Sequence, residues 1–204
     1  MEGVQLTTSD GLSLVGDLRL PEPGATPVAA AVVCHPHPQF GGTRFDRVVT
    51  AVFDALTTAG CVALRFDFRS EFGGGVTERL DVIAALDALD EHSMLDGAPR
   101  IVVGYSFGAI VALSTPDPRI VAVGAIAPPL GHGAQVVPSV PVVAVCPAHD
   151  QFCAPDAFRR LSAGWPDLEL TVIESADHSL AGHTGIAADT VTAGLLTRLA
   201  RDDR

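Results

Sequence analysis

A doubly wound, mainly parallel α/β sheet with an antiparallel N-terminal hairpin is the fold class this sequence predicts, and three observations carry it. Short apolar runs with strand character alternate with segments of helical spacing, joined by short connections. Apolar residues make up 48% of the chain and charged ones only 18%, the balance required when central strands are covered on both faces. The stretch Arg100-Ile101-Val102-Val103-Gly104-Tyr105-Ser106-Phe107-Gly108-Ala109-Ile110 runs from a strand, through Gly-x-Ser-x-Gly, into a small-residue helical pattern. One domain over residues 1–204 is expected, because that length fills a single core and no composition shift or internal repeat divides it.

Taken in order, residues 4–8 and 12–20 flank the Asp-Gly turn of Ser9-Asp10-Gly11 and read as a hairpin, ended by Pro21-Glu22-Pro23-Gly24. Residues 28–34 are wholly apolar and predict a buried strand. His35-Pro36-His37-Pro38-Gln39-Phe40-Gly41-Gly42-Thr43 is a loop of turn residues. Phe45, Val48, Val49, Val52, Phe53 and Leu56 then recur at helical spacing, with Gly60 placed as a helix stop. Residues 61–68 predict the next strand. The glycine-rich stretch 69–75 lacks the Gly-Lys-Ser/Thr ending of a phosphate loop and reads as a mobile surface loop.

Residues 77–92 predict an amphipathic helix with Leu80, Ile83, Leu86 and Leu89 inward and its charged residues on a solvated face. After the Ser106 turn and its helix come strands at 120–126 and 141–146. A helix opened by Pro155 or Asp156 through Leu161, a last strand at 168–173 and a closing amphipathic helix at 186–199 complete the chain. The dozen or so residues between Pro128 and Val140 are too few for a helical cap domain, so a shallow, open site is expected.

Charge narrows the partners. A net charge of −11 with no basic stripe opposes binding to a phosphate backbone, so no nucleic-acid partner is expected. No apolar run approaches the length that crosses a bilayer, and the first residues lack the basic and then apolar segments of a signal peptide. Cys34, Cys61, Cys146 and Cys153 have no paired metal-ligand spacing, and three of them lie in or beside strand-like runs, where cysteine behaves as a small buried hydrophobe; a reducing, cytoplasmic compartment is the simplest reading. Cys34 and Cys146 fall near strand ends, where either could approach a site. His35-x-His37 has no third ligand nearby, so no metal is expected there.

The Ser106 stretch has the order of a nucleophile elbow: a strand stops, a serine sits on the sharp turn, and a helix begins beneath it. Glycines at 104 and 108 remove the Cβ atoms that would collide as the chain folds back. A serine hydroxyl is a weak nucleophile at neutral pH and needs a base, itself oriented by an acid. In a parallel sheet those partners sit on loops at the carboxyl ends of later strands, and the order known for elbow enzymes is serine, then Asp or Glu, then histidine.

Asp150, just beyond the 141–146 strand, is the chosen acid. Asp156 is its competitor and fits better in the first turn of the following helix. His178 is the first histidine after the last strand and is preferred to His183. His35, His37, His92, His132 and His149 fall outside the required order. The backbone N–H of Phe107 and one from the 37–40 loop would face a tetrahedral oxyanion. Proline has no N–H, so His37, Gln39 and Phe40 are the candidates, and position favours His37.

Several of these pieces together resemble the small, capless α/β-hydrolases close to dienelactone hydrolase. They are Cys34-His35-Pro36-His37-Pro38 with Gly41-Gly42-Thr43, Leu64-Arg65-Phe66-Asp67-Phe68-Arg69, Gly104-Tyr105-Ser106-Phe107-Gly108, Ala148-His149-Asp150 and Ala176-Asp177-His178. The resemblance implies a serine hydrolase with a Ser106–Asp150–His178 triad and adds no cofactor. Dienelactone hydrolase itself uses a cysteine nucleophile, so its lactone substrate is not carried over. After Arg69 the relatives continue with Gly-x-Gly and a serine, whereas this chain runs Ser70-Glu71-Phe72-Gly73-Gly74-Gly75, a rebuilt loop near the site entrance. The expected activity is cleavage of small ester substrates through an acyl-enzyme on Ser106. A thioesterase, lactonase, peptidase or acyltransferase with the same three residues stays open, as does a binding protein that has lost turnover. Monomer and homodimer also stay open, the free strand edge being one place for two copies to pair.

Overall fold

The computed structural model describes residues 1–21, 24–131 and 136–202. Part of the hairpin's Pro-Gly ending, the middle of the stretch between Pro128 and Val140, and His132 lie outside the described residues. Strands β1 (Glu2–Thr7), β2 (Ser13–Arg19), β3 (Ala30–Cys34), β4 (Val62–Phe66), β5 (Arg100–Tyr105), β6 (Ile120–Ile126), β7 (Val142–His149) and β8 (Leu168–Asp177) form one sheet. Their spatial order is β1-β2-β4-β3-β5-β6-β7-β8. The hairpin β1–β2 is antiparallel and joins β4 antiparallel, while every pairing from β4 to β8 is parallel.

The central strands β3, β4 and β5 are buried along their whole length, which is why they read as continuous apolar runs. Helices α1 (Arg47–Thr58) and α5 (Thr184–Asp202) cover one face. Helices α2 (Glu78–Asp90), α3 (Phe107–Ser114) and α4 (Pro155–Leu161) cover the other. Helix α1 has the clearest local logic. The Asp46 carboxylate caps it by accepting from the N–H of Val48 at 2.8 Å. Val48, Val49, Val52, Phe53 and Leu56 bury one stripe, and Gly60 at φ +86° ends it. Phe45 falls outside that stripe. It precedes the cap, is 56% exposed, and lies under the guanidinium of Arg44 at 4.2 Å.

Two strands run further than the sequence predicts. β7 continues to His149 and β8 to Asp177, because their pairing persists past Pro147↔Ile173 and, after a register shift, reaches His149↔Asp177. Glu174 and Ser175 look like loop residues, but β8 is an edge strand and tolerates polar side chains there. The consequence is positional: Asp150 follows β7 and His178 follows β8 directly, at the ends of neighbouring strands.

Helix α2 corrects the expectation for its charged face. Leu80 and Ile83 are only partly buried, whereas Glu78 and Asp81 are completely buried. Each carboxylate is satisfied from outside the helix. Glu78 accepts the N–H of Gly73 at 2.8 Å and that of Gly75 at 2.9 Å. Asp81 accepts the N–H of Arg69 at 3.0 Å and two donations from its guanidinium at 2.9 and 2.7 Å. The loop expected to be a mobile surface feature is therefore tied down at Arg69, Gly73 and Gly75. No helix among the described residues is long and apolar enough to cross a membrane.

Candidate active site

The turn after β5 carries the first residue of the site. Ser106 has φ +54° and ψ −119°, a backbone conformation costing a non-glycine residue of order 1–3 kcal/mol and held only where its surroundings fix it. Its N–H donates to Ile126 O at 2.9 Å, and its carbonyl accepts from the N–H of Ala109 at 3.0 Å. The close approach behind the turn needs glycine on both sides. A Cβ on Gly104 would stand 2.2 Å from Gly108 O, and one on Gly108 would stand 2.5 Å from the carbonyl oxygens of Cys34 and His35.

Three side chains far apart in sequence form a hydrogen-bonded row above this turn. Ser106 Oγ lies 2.9 Å from His178 Nε2, and His178 Nδ1 lies 2.9 Å from Asp150 Oδ2. A carboxylate can only accept, so Nδ1 carries a proton and a neutral ring leaves Nε2 free to accept from the serine. Asp150 is 4% exposed. Its other oxygen, Oδ1, accepts from the N–H groups of Phe152 at 2.8 Å and Cys153 at 3.2 Å. The histidine is held from both sides. Tyr105 Oη donates to its carbonyl at 2.8 Å, and the Phe152 ring meets the imidazole edge-on at a centroid distance of 4.5 Å.

The competing residues go elsewhere. Asp156 sits in the first turn of α4 and pairs with Arg159 at the surface. His183 pairs with Ser175, 2.8 Å from Nε2 to Oγ, while its Nδ1 donates to Ala181 O. Cys34 and Cys146 are buried, and burial pushes both thiols above the ordinary range, so neither presents a thiolate to the site. Among the described residues no group of three or more metal-ligating side chains is placed to hold a metal ion.

The 35–42 loop faces Ser106 across a cleft of about 640 Å³. The carbonyl of His37 accepts from the N–H groups of Phe40 and Gly42, both at 3.1 Å, and its ring Nδ1 accepts from the N–H of Gln39 at 3.2 Å. A Cβ on Gly42 would fall 2.1 Å from Pro36 O, so the loop closes this tightly only with glycine there. Among the described residues the N–H of His37 has no intramolecular acceptor. Phe107 opens α3, so its N–H has no partner within the helix.

His35 precedes the serine in the chain and falls outside the order of the Ser106 row, yet it has a structural role beside it. It is almost completely buried, and both its ring nitrogens are used. Nε2 accepts the N–H of Phe68 at 2.9 Å, and Nδ1–H donates to Pro36 O at 2.6 Å. That pair of bonds requires the neutral ring, and burial lowers its pKa below the ordinary 6.5. As pH falls below about 6.5 the unfolded chain takes up this proton before the folded one does. Stability from this group is therefore complete above that pH and is lost as pH drops. Urea unfolding of wild type and His35→Phe between pH 7.5 and 5 checks it: the wild type should lose stability more steeply toward acid. Equal slopes would contradict it.

No family model matches the sequence. Over 89 residues the chain is 35% identical to an uncharacterized protein of Rickettsia prowazekii, a match covering 41% of this chain and 37% of that protein's length. Similarity to solved structures extends over nearly the whole chain. An α/β serine hydrolase homologue from Coxiella burnetii superposes at TM-score 0.85 with 23% identity, covering 95% of this chain and 97% of that one. An α/β serine hydrolase without a lid from Xanthomonas campestris gives 0.83 with 24% identity, covering 98% and 94%. An esterase from Pyrococcus furiosus gives 0.77 with 19% identity, covering 98% and 91%. The chain shares its fold with these structures, among them the α/β serine hydrolase without a lid.

Proposed function

We propose that this protein is a serine hydrolase that cleaves small carboxylic esters through an acyl-enzyme on Ser106, with residues 1–204 acting as one domain. The observation that carries the reading is the Ser106–His178–Asp150 row, two contacts of 2.9 Å beneath an open cleft. The serine hydrolases and the esterase that share the fold support it.

Ser106 Oγ attacks the ester carbonyl carbon while His178 Nε2 takes its proton, and Asp150 holds the ring and stabilises its charged form. The carbonyl oxygen becomes an oxyanion facing the N–H groups of Phe107 and His37, whose donation lowers the barrier by a few kcal/mol per donor. Support for His37 comes from its neighbours. All described peptide bonds are trans, so the bond from His35 to Pro36 O, which fixes one side of the peptide, also sets the opposite direction of the His37 N–H. As the intermediate collapses, the ester C–O bond breaks and the leaving alkoxide takes the proton from His178. Water then attacks the acyl-enzyme with His178 as base, and the acid leaves as Ser106 regains its proton.

The direct test is hydrolysis of 4-nitrophenyl butanoate by the purified protein. Turnover that saturates with substrate and survives a chelator is expected. A rate no greater than that of buffer across a series of short-chain esters would contradict the proposal.

A further inference from the structure

The distribution of aromatic side chains deepens that reading to a substrate class. Phe, Trp and Tyr are only 5% of the sequence, nine, one and one residues respectively. Yet Phe40, Phe72, Tyr105, Phe107 and Phe152 all line the cleft over Ser106, far above that share among its fifteen lining residues. Burial does not explain the concentration, because Phe40 is 87% exposed, Phe152 47% and Phe72 37%. Three large rings left partly in water at one opening mark a surface built to be covered.

The rings form two groups. On one side the His37 imidazole touches Phe40, Phe72 and Phe107, at centroid distances of 4.7, 4.5 and 4.9 Å, making a continuous wall. On the other, Phe152 leans on His178. Ser106 lies in the same lining. The wall is braced, since Gly75, whose N–H is held by the buried Glu78, packs where an added Cβ would be 3.5 Å from the Phe107 ring. Charge supplies the second constraint. Among the described residues the lining contains no arginine, and the chain carries −11 overall. Among the described lining residues the one carboxylate is that of Asp46. An anionic substrate would meet no cation there and would be repelled on approach.

We propose that the substrates are neutral esters with an aromatic ring in either the acyl or the alcohol part, held against the His37–Phe40–Phe72–Phe107 wall. Ring-on-ring contact adds to area burial only for aromatic ligands, so a cyclohexyl group of similar size should bind less well. The inference rests on the hydrolase reading for its chemistry, but its test does not. Binding is measured by titration calorimetry on the Ser106→Ala variant, whose residual turnover is too slow to consume ligand during a titration. Ethyl 3-phenylpropanoate carries the ring on the acyl side and 2-phenylethyl acetate on the alcohol side. Each is compared with its cyclohexyl counterpart, and ethyl 3-(4-carboxyphenyl)propanoate tests charge.

At least one ring-bearing ester should bind roughly three- to tenfold more tightly than its counterpart. The carboxylate analogue should bind more weakly than either. The ring preference should shrink in both Phe40→Leu and Phe72→Leu, whose exposed positions spare the core. Equal affinity for cyclohexyl and phenyl in both arms would overturn the proposal, as would a preference untouched by both substitutions or a carboxylate bound as tightly as the neutral ester. Retained ring preference in a protein whose wild type hydrolyses no ester would leave this inference standing while removing the hydrolase reading.

Discussion

Ser106→Ala is expected to lower kcat for a short-chain ester by roughly 10⁴- to 10⁶-fold while leaving the fold intact. The substitution removes one oxygen, whose bond is to His178 Nε2, and keeps the Cβ on the strained turn. What survives would come from the oxyanion donors and from binding, so a small residual rate is part of the expectation. His178→Ala should fall in the same range, and the double variant should be little worse than either single one, because the two act as a unit. The check is a steady-state rate on protein whose urea midpoint matches wild type. A loss below tenfold in Ser106→Ala would mean that another group is the nucleophile.

Arg69→Ala is expected to cost roughly 3–5 kcal/mol of stability. Its guanidinium is buried and divided between two carboxylates, Asp81 on α2 and Asp10 in the β1–β2 turn, at 2.7 and 2.8 Å. Removing it strands Asp81, which is completely buried, without its counter-charge. Water can reach Asp10 but not Asp81, so the second loss dominates. Hydrogen bonds from Arg69 draw the Asp10 carboxyl down to about 2. Its contribution is therefore present above the ordinary carboxylate value and fades as pH falls below it. Replacing Arg69 and Asp81 together by Met and Leu should restore much of the loss, because neither partner is then left buried without the other. Urea unfolding of the three proteins measures this, and a single-variant loss under 1 kcal/mol would contradict it. Because Arg69 also begins the stretch leading to Phe72, Gly73 and Gly75, the variant should weaken the cleft wall as well.

The difference between what could and could not be read from the sequence lies in where partners come from. The apolar runs of β3, β4 and β5 and the strand–Ser106–helix passage are local patterns, so the fold class followed from them. Asp150 and His178 were reachable because chain order and strand ends restrict the choice, and the fold brings both to within hydrogen-bond reach of the row that begins at Ser106. Glu78 and Asp81 misled because a buried carboxylate looks like a solvated one until its donors are known. Those donors are two glycine amides and an arginine from a loop that itself reads as mobile. His35 was missed for the same reason, since the Phe68 N–H that fixes its tautomer comes from two residues beyond β4. The ring wall had a weak signal: few aromatics in all, with Phe40, Phe72, Phe107 and Phe152 each falling on a loop or turn that follows a predicted strand.

If Ser106 is a nucleophile activated by its neighbours, covalent capture tests it most directly. The wild-type protein is treated with a fluorophosphonate, digested, and the adduct located by peptide mass. One phosphonyl group on Ser106, formed with matching loss of esterase activity and absent from His178→Ala over the same time, is the predicted result. A protein that hydrolyses esters yet carries the label on another residue, or carries none at all, would contradict it.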